Sequence, residues 1–565
     1  MPDFLVSNVA AMKVFLCLEL NRHDELNDIL PEQLSLASQG KLSSDELVLI
    51  LSGWDPGRHP LVPHTPGLYK AVEACNTESV EVLLACMLEA ASKRLIRRDQ
   101  FIELMAGYDP ARQPALQKAL ISDGKISLHK DQHARLIRTY IAFACRAQEL
   151  SIFEPIDLVS FLHGYPFPVP NLAVALACGD VVRINAFLDS VISAAQSGHI
   201  SSYHLQKILV ALMPRDSCAL NMIMENGSHG VIKSYLDHLL DAARKKLIDA
   251  GQLEELLWPC KKVPALMKSI FSRSGDATRL FVDAVLMAAC GRLINPNQLH
   301  FLLDGTNSDG ESILRVATRE NSVHCASIIL AGVLAAARAG IIDAPRLCRM
   351  LEGSDMPPLP YLAAMLDHPL MLGTLLEHML SAALEGLIDR PSLVGLLLST
   401  FGSREKPSLR KVLDEGAPIA IDIYLQFALV ARQKDAIHSG DLMTLFRGLS
   451  PDVKKTPLLW RAMANDKKEV VKAWLNHLTA AAKEKLLDSG QLVSLLGFHD
   501  SSTPENESSY EIALGYQHLD LARYFKERIV ELQKDGYLSE DDVSVILHIG
   551  VISTKRSVKE HGSHT

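Results

Sequence analysis

The chain has 565 residues, of which 48% are apolar and 22% charged, with a formal net charge of −9. That composition excludes a disordered chain, and the small charge offers neither a nucleic-acid surface nor a basic membrane-binding face. Length alone fits three or four ordinary domains or one long array, and an aromatic content of only 6% beside abundant Leu and Ala favours helix.

The first segment, MPDFLVSNVAAMKVFLCLEL, is apolar, yet it lacks the basic start and small-residue cleavage site of a secretory signal. Lys13 and Glu19 interrupt it, and no uninterrupted apolar run elsewhere reaches the roughly 18 residues of a membrane span. Ten cysteines are scattered without a CxxC pair, mostly inside apolar helical runs, which points to a reducing compartment and core filling. The expectation is a soluble, cytoplasmic protein with no membrane insertion.

Further along, ASQGKLSSDELVLIL (37–51) begins a series that returns as ASKRLIRRDQFIELM (91–105), AAQSGHISSYHLQKIL (194–209), AARKKLIDAGQLEELL (242–257), AACGRLINPNQLHFLL (288–303), AARAGIIDAPRLCRML (336–351), AALEGLIDRPSLVGLL (382–397) and AAKEKLLDSGQLVSLL (481–496). LQKDGYLSEDDVSVIL (532–547) closes it. The apolar residue before the short turn makes a ruler with eleven marks: Leu42, Ile96, Phe153, Ile200, Ile248, Ile294, Ile342, Ile388, Ile437, Leu487 and Leu538. They lie 46 to 57 residues apart, and apolar residues follow each mark at +5, +8 and +9, which is one face of a helix.

Upstream of the marks, two further helices are expected in each period. TPGLYKAVEACNTESVEVLLACM (65–87) has a turn at Thr65-Pro66, a short helix through Leu68, Ala71 and Val72, a break at Asn76, and a second helix from Val80. TPLLWRAMANDKKEVVKAWL (456–475) repeats the outline clearly, as do PNLAVALACGDVVRINAFL (170–188), CALNMIMENGSHGVIKSYL (218–236), ESILRVATRENSVHCASIIL (311–330) and SSYEIALGYQHLDLARYF (508–525). Each period thus reads as a short helix A, a longer helix B running through an Ala-Ala pair, and a helix C carrying the stripe. The third period is longest, and 120–147 predicts a stretched helix B with a small kink or insertion.

In helices A and B the chain resembles the ankyrin-repeat family over roughly residues 8–550, most closely at 65–87 and 456–475. It departs from that family in its period of about 49, which a third helix accounts for, and in lacking the usual His of the TPLH box. A HEAT- or armadillo-like array has a nearer period, and either alternative is an α-solenoid. The expected fold is all-α: an extended α-solenoid of about eleven three-helix ankyrin-like repeats over 1–550, with a polar, disordered tail at 551–565.

Chemistry-bearing motifs are few. HKDQH (129–133) spaces two histidines one helical turn apart, but Lys130 stands where a zincin has its glutamate, so solvated histidines are expected and no metal. No phosphate-binding glycine loop occurs, and no cofactor is expected. LEELL, LHFLL, LVGLL and LVSLL fit an LxxLL docking pattern, yet they coincide with the helix C stripe and read as core. The turns after helix C carry aromatics: Trp54, Tyr108 and Tyr165 each stand 12 residues past a mark, and Trp258, Phe401 and Phe498 occupy later turns. These rings either close helix C against the next repeat or form a row of partner-binding anchors.

The resemblance implies a non-catalytic scaffold that binds a protein partner through its repeat loops and concave face. Degenerate arrays of this kind resemble those of bacterial effectors, which implies action inside a host cell. Effectors that pair such arrays with a catalytic domain place that domain first, and here the array is expected to begin within the first dozen residues. The alternative is an enzyme whose site is assembled between repeats.

Overall fold

The computed structural model describes residues 2–53, 65–121, 130–164, 169–213, 217–260, 262–353, 358–398, 400–401, 406–407, 418–447, 457–497 and 508–547. Their regular structure is helical apart from a two-residue antiparallel pairing of Thr400–Phe401 with Lys406–Pro407 and isolated bridges at Met213 and Thr306. The predicted tail at 551–565 lies outside these residues.

Helices recur in the order short, long, short. The group Gly67–Glu73, Thr77–Ser92 and Arg98–Ala106 is representative, and Leu458–Ala464, Lys468–Lys483 and Ser489–Leu496 reproduce it. Helix B holds 16 residues in both groups, while Lys130–Glu149 has 20, in keeping with the stretched segment expected there. Pro2–Glu19 departs from the short helix A by its 18 residues, and it exposes Val9, Met12 and Leu16 along one face, with exposed Leu20 in the turn that follows.

The end of helix B is built the same way each time. The residue two before every one of the eleven marks has positive φ: Gly40, Arg94, Ser151, Gly198, Lys246, Arg292, Gly340, Gly386, Asp435, Lys485 and Gly536. At Lys246 the amide donates to Ala243 O at 3.0 Å and the next amide, of Leu247, donates to Ala242 O at 2.9 Å. This is a Schellman closure, and the carbonyls of the Ala-Ala pair are the ones it satisfies.

The mark itself starts helix C. At Ile248 the next residue, Asp249, is the N-cap, accepting from Gln252 N at 2.8 Å while its own amide donates to Gln252 Oε1 at 3.0 Å. Leu253 then stands at the fourth helical position, so the +5 spacing is that of a hydrophobic staple. Ile248, Leu253, Leu256 and Leu257 are all buried, and each buried Leu contributes about 1.5–3 kcal/mol. The leucines of LEELL are therefore core.

The chain divides into two compact units, Met1–Leu302 and Leu303–Thr565. Within the first, helix Thr77–Ser92 packs on Lys130–Glu149, which packs on Val181–Gln196, then His229–Arg244, then Gly275–Cys290. Within the second, Val323–Arg338, Pro369–Leu384, Pro418–Gln433 and Lys468–Lys483 follow one another in the same way. Among the described residues no helix is long and apolar enough to cross a membrane.

Candidate partner-binding edge

Helices Ser44–Ser52 and Arg98–Ala106 are helix C neighbours, and the turn after the second forms one wall of a cleft of about 440 Å³. Buried Leu68, Met87 and Leu104 make its floor, while Ser52, Glu103, Tyr108, Asp109 and Arg112 supply its polar groups. Tyr108 is half-buried, with its phenol pushed up by that burial, so at neutral pH it presents an O–H donor on an apolar ring.

Local chemistry holds this wall in place. Gly107 ends the helix at φ 53, and a Cβ there would stand 3.2 Å from both Ala115 Cβ and Leu68 Cδ2. The following turn closes on itself: Asp109 N donates to Gln113 O at 3.0 Å, Arg112 N to Asp109 O at 2.9 Å, and Gln113 N to Asp109 Oδ1 at 2.7 Å. The Tyr69 hydroxyl donates to Gln113 Oε1 at 2.8 Å, tying the turn to helix A. The Asp-Pro pair thus acts as turn chemistry, and it aims Tyr108 at the cleft.

Trp258 is placed differently. It follows helix Ala250–Leu257, is only 7% exposed, and its ring centroid lies 4.5 Å from that of Phe301 on the next helix C. Its surface is spent on the packing of one three-helix group against the next. Phe401 pairs through its backbone with Lys406. Trp54, Tyr165 and Phe498 lie outside the described residues, so Tyr108 and Trp258 are the two rings whose surroundings are defined.

Three features were missed by motif reading. A groove of about 490 Å³ runs between Pro369–Leu384 and Pro418–Gln433, lined by Leu376, Leu380, Leu384, Ile423 and Phe427 with Glu377 and Lys434. Gly373 in mid-helix signals it, since a Cβ added there meets nothing within 4 Å. Gln100, Gln252 and Gln298, each at the third position of a helix C, link neighbouring groups, as at Gln252, whose Nε2 donates to Ser202 Oγ at 3.2 Å. Finally, His133, expected to be solvated, is half-buried with Nε2 2.8 Å from Cys75 Sγ. His129 lies outside the described residues, among which no cluster of three or more His, Cys, Asp or Glu could hold a metal.

No protein-family model matches the chain, and neither does any curated protein.

Proposed function

We propose that the chain is an α-solenoid of about eleven three-helix ankyrin-like units that serves as a non-catalytic protein-interaction scaffold. The observation that carries this reading is Tyr108: a half-buried aromatic on a self-closed turn, facing a cleft with an apolar floor and charged groups at its mouth. Such a cleft suits one large apolar side chain of a partner, with Glu103 and Arg112 pairing charges beside it. Action as an effector within a host cell rests on the resemblance to effector arrays, and a translocation reporter fused to the chain tests it.

The binding reading is tested by quantitative affinity purification with the wild-type chain, Tyr108→Ala and Trp258→Ala, with thermal melts of all three. Tyr108→Ala is expected to lose specific partners at least about tenfold while melting like wild type. Trp258→Ala is expected to melt early, because it opens the packing against Phe301. Partners retained in full by a stably folded Tyr108→Ala protein would overturn the assignment of this cleft.

A further inference from the structure

We propose that Cys75 and His133 form an activated thiol, a site of reversible S-thiolation by low-molecular-weight disulfides. This inference does not rest on the partner-binding reading. Cys75 occupies the turn between helices Gly67–Glu73 and Thr77–Ser92, held at φ 60. His133 stands near the start of Lys130–Glu149, the helix packed against Thr77–Ser92. Stacking brings Sγ and Nε2, 58 residues apart in sequence, to 2.8 Å.

A thiolate is the nucleophile in thiol–disulfide exchange, and a hydrogen-bonded imidazole is the base that produces it. Cys75 both closes the short helix Gly67–Glu73 and precedes Thr77–Ser92, so the two helix ends offset one another at the sulfur and the imidazole is the group that favours the thiolate. The start of Lys130–Glu149 opposes a proton on His133, and the adjacent thiolate offsets that cost. Other charges face the same helix pair. Glu78 and Glu81 oppose the thiolate, but both are bridged by Arg135, at 3.3 and 3.2 Å. Lys70 and Lys118 are held by Glu73 at 2.8 and 3.2 Å, and Asp131 is exposed.

Access separates Cys75 from the core thiols. Cys75 is half-buried, whereas Cys86 and Cys218 are buried and their thiols are pushed up to about 11. In the reaction, the Cys75 thiolate attacks one sulfur of the small disulfide, the S–S bond breaks, and the departing thiolate takes the proton from His133 Nε2. The products are a mixed disulfide on Cys75 and one free small thiol. The added group then stands in the contact between two neighbouring three-helix groups, so thiolation is coupled to their packing.

The test incubates the intact chain with oxidised glutathione across about pH 6 to about pH 8.5 and follows each cysteine by peptide mass spectrometry. Exposed Cys290 is the internal reference. An ordinary thiol, at 9.0, is only about 0.1% thiolate at about pH 6. Cys75 is therefore expected to react about tenfold faster than Cys290 there, after allowing for the lower nucleophilicity of a more acidic thiol. His133→Gln is expected to remove that advantage and leave Cys290 unchanged, with circular dichroism establishing that the variant is folded. A Cys75 rate in the wild type that rises with pH in parallel with Cys290 and shows no advantage at about pH 6 would overturn the proposal. So would a rapid Cys75 reaction in the His133→Gln protein.

Discussion

Gln298 holds two neighbouring helices at once: its Nε2 donates to Glu254 Oε2 at 2.8 Å while its Oε1 accepts the Asn295 amide at 2.8 Å. One amide thus caps its own helix C and fastens it to the helix C before it, where Nε2 also meets Ala250 O at 3.0 Å. Gln100 works the same way, accepting from Arg97 N at 2.8 Å and donating to Asp45 Oδ1 at 2.7 Å. A side chain with both donor and acceptor suits this position, because a carboxylate could cap but could not donate onward.

Replacing Gln298 by Glu is therefore expected to keep the cap and lose the link, facing Glu254 with a like charge. Replacing it by Ala loses both. We expect losses of about 0.5–1 kcal/mol for Glu and about 1–2 kcal/mol for Ala in urea unfolding. A Gln298→Ala/Glu254→Ala double-mutant cycle should return a coupling of about 0.5 kcal/mol or more, and strict additivity would show that the link is idle.

The left-handed closures of helix B predict stabilising substitutions. Six of them carry a side chain at positive φ, including Lys246, Arg292 and Lys485. A residue with a Cβ pays about 1–2 kcal/mol in this region, only partly offset by the entropy a glycine loses on folding. Lys246→Gly and Arg292→Gly should each raise stability by up to about 1 kcal/mol, read as a higher urea midpoint. The converse change, Gly340→Ala at φ 70, should lower it by about 1 kcal/mol.

Alkaline pH should weaken the fold through its buried thiols. Burial holds Cys86 and Cys218 at about 11, against an ordinary thiol value of 9.0. Between those values the unfolded chain has released the proton and the folded chain has not, so stability is intact below about pH 9 and falls as pH rises towards about 11. Each thiol accounts for at most about 3 kcal/mol. Urea midpoints measured across this window should fall less steeply in a Cys86→Ala/Cys218→Ser protein. Serine retains a cap for Asn221 N, which Cys218 Sγ now accepts at 3.4 Å.

Much of the local architecture was legible because it repeats. A mark such as Ile248, its stripe at Leu253, Leu256 and Leu257, and the Ala-Ala pair before it each answer to a short-range rule of helix capping or periodicity. The left-handed closure was less visible, since glycine occupies it at Gly340 but lysine at Lys246, and backbone hydrogen bonds rather than residue type enforce it. The candidate site was legible only in part. Tyr108 and Trp258 stand in similar turns, yet one faces a cleft and the other is covered by Phe301, a difference set by the residue on the neighbouring helix. Contacts such as Cys75 with His133 depend on stacking register, which no local pattern encodes.

The repeat reading beneath all these proposals is tested most directly by removing one period cleanly. Deleting residues 247–292 takes out 46 residues and joins two equivalent turns, because Leu247 and Leu293 each precede a mark. If three-helix units stack as proposed, the shortened chain keeps its helicity per residue and still melts cooperatively. Deleting residues 247–269, which stops inside a helix A, should instead lose helicity well beyond the residues removed. Equal disruption by both deletions would contradict the account.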